Sequence, residues 1–306
     1  MRLYYCDIQI VTFVLMLFVL FAFAGCGVPA ERAEEPETTR ESGILEVYVF
    51  GFLSADAIVV KTENYTVMID TGERQHGNYI LNWLFYRDIV YIDYLIITHF
   101  DRDHVGSAHY IINFMEVQNV IVPNYQRISN TVRRFENAML LADIEAFVLL
   151  EEVSLTLDDA EITMYPSVLD FFVFSNEDDD NDYIEDVTTP RENDFSIVVT
   201  ISHGEKKFIF MGDAMAGRLS ELLEMDEIFG VSFDFLKLPH HGRYNRLSTE
   251  FLKAINPRYA VSTCCTERPT DERIVTVLEY LGTEIFFSKN GGVRVRSDGL
   301  NLVVVQ

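Results

Sequence analysis

Ile96-Ile97-Thr98-His99-Phe100-Asp101-Arg102-Asp103-His104-Val105-Gly106 runs from an apolar strand straight into four side chains able to hold a metal ion. His99, Asp101 and Asp103 stand at every second position, so a short extended turn would point all three the same way, with His104 swinging in from the side. Imidazole with carboxylate is a ligand set for zinc, manganese or iron, and two such ions can share one activated water. Taken alone, the segment also reads as a polar loop that binds nothing.

Three further segments have the same design. Val67-Met68-Ile69-Asp70-Thr71-Gly72 is an apolar strand that stops at an Asp in a Gly turn. Lys207-Phe208-Ile209-Phe210-Met211-Gly212-Asp213 repeats that plan, and Phe235-Leu236-Lys237-Leu238-Pro239-His240-His241-Gly242 ends in two histidines. Ligand-type residues at the ends of apolar runs are where layered α/β proteins carry their sites.

In this order the four segments resemble the metallo-β-lactamase-fold hydrolases, and in particular the hydrolase domain of ComEC-type competence proteins, over residues 44 to 306. Most of that superfamily carries His-x-His-x-Asp-His. Here Asp101 replaces the second His, a substitution the ComEC-type branch shares. Asn193-Asp194-Phe195-Ser196 resembles that branch's Asn-x-x-Ser motif, near the place where other members put a metal-binding His. Two departures stand out. The opening turn Gly51-Phe52-Leu53-Ser54-Ala55-Asp56 keeps only the first Gly and the Asp of the branch's Gly-Gln-Gly-Asp, and Glu267-Arg268-Pro269-Thr270 replaces its late His-Pro.

The resemblance implies an α/β fold of the αββα sandwich type, four-layered, with two central mixed sheets between helices. It also implies roles. His99 and Asp101 belong to a first metal position, Asp103 and His104 to a second, Asp213 bridges both, and His241 completes the second. Asp70 orients the site from behind, with Asn193 and Ser196 near the first metal. Asp103 and His240 are the candidates for catalytic work, His240 by binding a phosphoryl oxygen or protonating a leaving group. Without the extra superfamily His, the first metal has fewer protein ligands, so it is bound more weakly or leans on Asn193 and water, and a mononuclear enzyme is the alternative. The expected cofactor is zinc, one or two ions, with manganese as the alternative.

Hydrolysis is the reaction such ions support, since a bound metal brings the pKa of water down to about 7. Phosphodiester cleavage leads, because the branch looks like nucleases and phosphodiesterases and no flavin-type Gly pattern is present. A net charge of -24 argues against long nucleic acid as a partner. Arg102, Arg243 and Arg246 beside the motifs keep a small or envelope-derived phosphoester in view. The alternatives are a catalytically decayed metal-binding lipoprotein, or a lactonase or β-lactamase, which normally keep the second His.

The hydrophobic run Ile8 to Gly25 leads to Phe23-Ala24-Gly25-Cys26, which resembles a bacterial lipobox. That reading gives a lipoprotein signal peptide over 1–25, acylation at Cys26, a solvated tether over 26–43 and a hydrolase domain over 44–306 on the extracytoplasmic face of the cell membrane. The competing reading is an uncleaved N-terminal membrane anchor, since about 18 apolar residues approach the length of a span. Of the remaining cysteines, the neighbours Cys264 and Cys265 read as buried small residues or as a vicinal bond. The acidic run between Asn176 and Asp186 lacks the spacing and central Gly of an EF-hand and reads as a solvated loop.

Alternation and β-branched content predict strands at 45–50, 57–60, 66–69, 94–98, 120–122, 146–150, 153–157, 162–165, 195–202, 208–211 and 235–238. Helical spacing marks 79–86, 107–114, 130–142, 218–225 and 249–255, with strands from there to the C-terminus.

Overall fold

The structure, a computed structural model, describes residues 43–174, 191–228 and 230–306. The expected signal peptide over 1–25, Cys26, residues 26–42 of the expected tether and the acidic run after Asn176 lie outside the described residues.

Two large sheets carry the fold. The first holds eight strands in the order Leu302–Val305, Val293–Ser297, Leu45–Val49, Ala57–Lys61, Thr66–Thr71, Tyr91–Ile96, Glu116–Val122 and Ala146–Val148. The second holds seven: Glu284–Phe287, Tyr259–Ser262, Phe235–Lys237, Lys206–Phe210, Val198–His203, Ala160–Tyr165 and Val153–Leu157. Each is mixed. Thr66–Thr71, Tyr91–Ile96 and Glu116–Val122 run parallel in the first sheet, as do Lys206–Phe210, Phe235–Lys237 and Tyr259–Ser262 in the second.

Burial explains the strand sequences. Leu45, Val47 and Val49 face inward while Glu46 and Tyr48 alternate with them, whereas Thr66–Thr71 is buried on both faces and reads as a continuous apolar run. One core cluster joins the facing sheets through residues such as Val47, Ile69, Ile96, Ile162, Phe208 and Phe235. A second packs the outer face of the first sheet under the helices Gly77–Phe85, Ala108–Phe114 and Asn130–Leu141. A third packs the other sheet under Ala216–Leu222, Ser248–Ile255 and Glu272–Leu281. Helix, sheet, sheet, helix is the expected αββα sandwich.

Three expectations are corrected. The metal loop is not extended throughout: Asp101 is extended, with ψ 147, and caps a helical turn over Arg102–Val105. Asp103 and His104 therefore leave a helix rather than a period-two strand. The stretch after Ile255 is not all strand, because Glu272–Leu281 is a helix whose Ile274 and Leu278 are buried four residues apart. The Asp271 side chain accepts from the Arg273 amide at 2.9 Å, and Gly282 ends the helix at φ 77. Phe195 and Ser196 also precede their strand, since Glu192–Phe195 is a 3-10 turn and the strand begins at Val198.

Among the described residues no helix is long and apolar enough to cross a membrane. Cys264 and Cys265 are both free thiols and buried.

Candidate metal centre

The site sits at the C-terminal ends of two parallel strand pairs, one in each sheet. Asp70 ends Thr66–Thr71, and His99 follows Tyr91–Ile96. From the second sheet, Asp213 follows Lys206–Phe210, and His240 and His241 follow Phe235–Lys237. The Ile197 amide donates to the Thr98 carbonyl at 2.9 Å, tying the two sheets together beside the site.

Several of these residues hold conformations that side chains rarely adopt. Asp70 has φ 58, His240 φ 45 and His241 φ 53, between Gly72, Gly212 and Gly242 at φ 66, 52 and 82. Strained backbone of this kind persists only where surrounding contacts over-determine it, and it collects at functional sites.

Asp103, His104, Asp213 and His241 each offer a ligand atom, all within 4.8 Å of one another. His241 Nε2 lies 3.1 Å from Asp103 Oδ2 and 3.1 Å from Asp213 Oδ2. His104 Nε2 lies 3.2 Å from Asp213 Oδ1, yet both atoms are buried without a hydrogen-bond partner, as is His99 Nε2. Buried polar atoms left unmatched cost free energy. Two imidazoles and two carboxylates converging in this way fit a divalent cation, which would satisfy them together.

The groups behind the ligands set their orientation. His104 Nδ1 donates to Asp70 Oδ2 at 2.7 Å, which leaves Nε2 to face Asp213. Asp70 also accepts from the Thr98 amide at 2.8 Å and hydroxyl at 2.7 Å. His99 Nδ1 is 3.1 Å from that same hydroxyl, and His241 Nδ1 is 2.9 Å from Thr263 Oγ1. Ser196 Oγ accepts from the Asp213 amide at 3.2 Å, and Asn193 is buried on the neighbouring 3-10 turn.

Sequence reading missed a second layer. Lys237 is fully buried, pairs with Asp56, donates to the Gly212 carbonyl at 2.9 Å and stands 3.5 Å from Asp213 Oδ1. Its signal was a lysine between Leu236 and Leu238 on a strand with no exposed residue. Arg127, Glu192 and Tyr125 gather on Asp101: Arg127 donates to Asp101 and, at 2.7 Å, to Glu192 Oε2, and Tyr125 donates to Glu192 Oε1 at 2.7 Å. Nothing in the local sequence marks that group.

Electrostatics follow from burial and charge. Burial alone would favour neutral rings, but Asp213 and its neighbouring carboxylates outweigh it and hold His104 and His241 well above the usual imidazole range. Burial likewise opposes ionisation of Asp103, yet the His104 and His241 charges bring its carboxyl down to about 2. Lys237 overcomes the same opposition at Asp56 and keeps it ionised. Burial, reinforced by the Asp101 charge, pushes Glu192 up to about 7. The cluster thus gathers protons where a cation would replace them.

His240 is separate. Its Nε2 is 3.9 Å from Asp213 Oδ2 and its Nδ1 contacts Met215 Sδ at 2.9 Å. With Asp101, Asp103, Asp213 and His241 it lines a cleft of about 860 Å³ whose wall includes Arg102, Arg243 and Arg268. Arg246 is not in that wall.

A layered sandwich with a His/Asp cluster at the strand ends of both sheets is the architecture of a metal-dependent hydrolase. The chain belongs to the metallo-β-lactamase superfamily, whose family model matches residues 50–263. It is 26% identical over 211 residues to ComE operon protein 3 of Bacillus subtilis (strain 168), a match covering 64% of this chain and 25% of that relative's length. The metallo-β-lactamase fold protein YhfI from Bacillus subtilis shares the fold at a TM-score of 0.53 and 12% identity, over 83% of this chain and 100% of that one. Tm1679, a metal-dependent hydrolase of the β-lactamase superfamily, does so at 0.51 and 14%, over 82% and 98%.

Proposed function

We propose that this chain is a metal-dependent phosphoester hydrolase, exported and tethered through Cys26, that acts on small or envelope-derived phosphoesters, phosphodiesters first. The observation that carries the substrate class is the cleft wall: Arg102, Arg243 and Arg268 stand beside the His/Asp cluster, with Glu73 and Glu267 in the same wall, in a chain whose net charge is -24. Guanidinium groups are the side chains best matched to phosphate oxygens. The acidic remainder disfavours long polyanions.

Asp103, His104, Asp213 and His241 would hold the divalent ion, zinc first and manganese second, which would supply Lewis acidity and bring the pKa of water down to about 7. The protein groups do the rest. Asp70 and Thr263 fix the rings of His104 and His241, and Ser196 anchors the backbone of Asp213. The arginines hold the phosphoryl group in the cleft, and His240, beside Asp213 but outside the four-residue cluster, hands a proton to the departing oxygen. Asp101 in place of the second His weighs against lactone and β-lactam substrates.

A chromogenic screen of the metal-loaded domain tests this. Turnover of bis-p-nitrophenyl phosphate, with no turnover of lactone or β-lactam substrates, is the expected result. Lactone turnover without phosphoester turnover would overturn it. For the tether, a palmitate analogue should label the wild-type chain and not Cys26→Ser; membrane association without label would favour the uncleaved anchor.

A further inference from the structure

The ligands are unequally shared between the two expected metal positions. The second has Asp103, His104, Asp213 and His241. The first has His99, Asp101 and a share of the bridging Asp213, and one Asp101 oxygen is already held by Arg127. The other, Oδ2, is 3.4 Å from His99 Nε2.

Arg127 is built in rather than laid on the surface. It sits on the short strand Gln126–Arg127, paired in parallel with Val173–Phe174, and its side chain is 3% exposed. Its Nη1 also donates to Glu192 Oε2 at 2.7 Å, and Tyr125 holds the second Glu192 oxygen at 2.7 Å. A guanidinium is a permanent positive charge with fixed geometry. Here it lies against the carboxylate that the first ion would need, and a cation at that place would face both its repulsion and the loss of a ligand oxygen. At the second position Lys237 is also a buried cation, 3.5 Å from Asp213 Oδ1, but its close partner is Asp56, which is outside the four-residue cluster.

We propose that Arg127 takes the place of the first metal ion: its guanidinium supplies the positive charge against Asp101 and hydrogen-bonds Glu192, and the chain holds a single divalent ion at Asp103, His104, Asp213 and His241. This rests on the metallohydrolase reading above.

The test is a count of metal per chain, by elemental analysis and native mass spectrometry, after loading with zinc or manganese and dialysis. The wild type should retain one ion, Arg127→Lys one, and Arg127→Gln, which loses the charge, two. Two ions retained by the wild type would overturn the inference, as would a folded Arg127→Gln variant that still retains one. If Arg127→Gln does not fold, the wild-type count decides alone. Failure of the underlying reading looks different, since the wild type would then retain no metal.

Discussion

Lys237 carries a charge where the chain leaves no water to solvate it, and Asp56 is its counter-ion. Removing one partner of such a pair leaves the other charged and buried, which costs about 3–5 kcal/mol. Lys237→Met should therefore lower unfolding free energy by about that much in urea melts, and Asp56→Asn added to it should recover part of the loss. A loss below about 1 kcal/mol would show that the pair is not a structural support. The ligands themselves allow a sharper separation of roles. Asp213→Ala should lose metal and activity together. His240→Ala should keep its metal and lose about 10²–10⁴-fold in rate, the range of one acid-base group. Metal analysis beside kinetics checks both, and His240→Ala that strips the metal would mean the two histidines had been assigned the wrong way round. Asp103, His104, Asp213 and His241, whose ligand atoms the fold brings within 4.8 Å of one another, could be picked out in the sequence because they follow the ends of apolar runs. Asp56 and Arg127 could not, because their meaning lies in partners, Lys237 and Glu192, that only the fold brings near.

The strands were legible as elements because burial writes alternation or continuous apolar runs into them, and the predicted ranges overlap those observed while their ends differ by up to four residues. Two local effects hid the rest. In the metal loop, Asp101 caps a turn, which a period-two count cannot see. In Glu272–Leu281, the β-branched run Ile274-Val275-Thr276-Val277 favours strand by propensity, and the Asp271 cap, the Gly282 end and burial of Ile274 and Leu278 override it. Asp271→Ala should accordingly cost about 0.5–2 kcal/mol, visible as a lower melting temperature with metal content unchanged. Gly242→Ala belongs to the same scale but reaches the site. A Cβ there would lie 2.6 Å from Thr270 Cγ2 and 2.9 Å from Ser262 Oγ, at φ 82. Because the backbone of His241 must move to relieve it, this variant should lose metal affinity as well as stability. Unchanged metal binding in a folded Gly242→Ala protein would contradict that coupling.

At the scale of the whole molecule, the metal-free protein is a set of opposed charges whose balance depends on pH. His104 and His241 have folded pKa values raised above the unfolded value of about 6.5, so their stabilising contribution is complete below that pH and is lost as pH rises through the raised values. Asp103 and Asp213 are depressed, and contribute above about pH 3.9 and lose their share as pH falls. The chelated protein should then melt at its highest temperature between about pH 4 and about pH 6.5, and lower towards alkaline pH. Metal should restore most at alkaline pH, where it no longer competes with protons. Melting curves with and without chelator check this, and a chelated protein that grows more stable above neutrality would contradict it. Assembly of one metal centre from the strand ends of both sheets can be seen by anomalous diffraction from crystals grown with zinc or manganese. An anomalous peak bonded to Asp103, His104, Asp213 and His241 is expected; a loaded crystal with no peak among these four side chains would rule such a centre out.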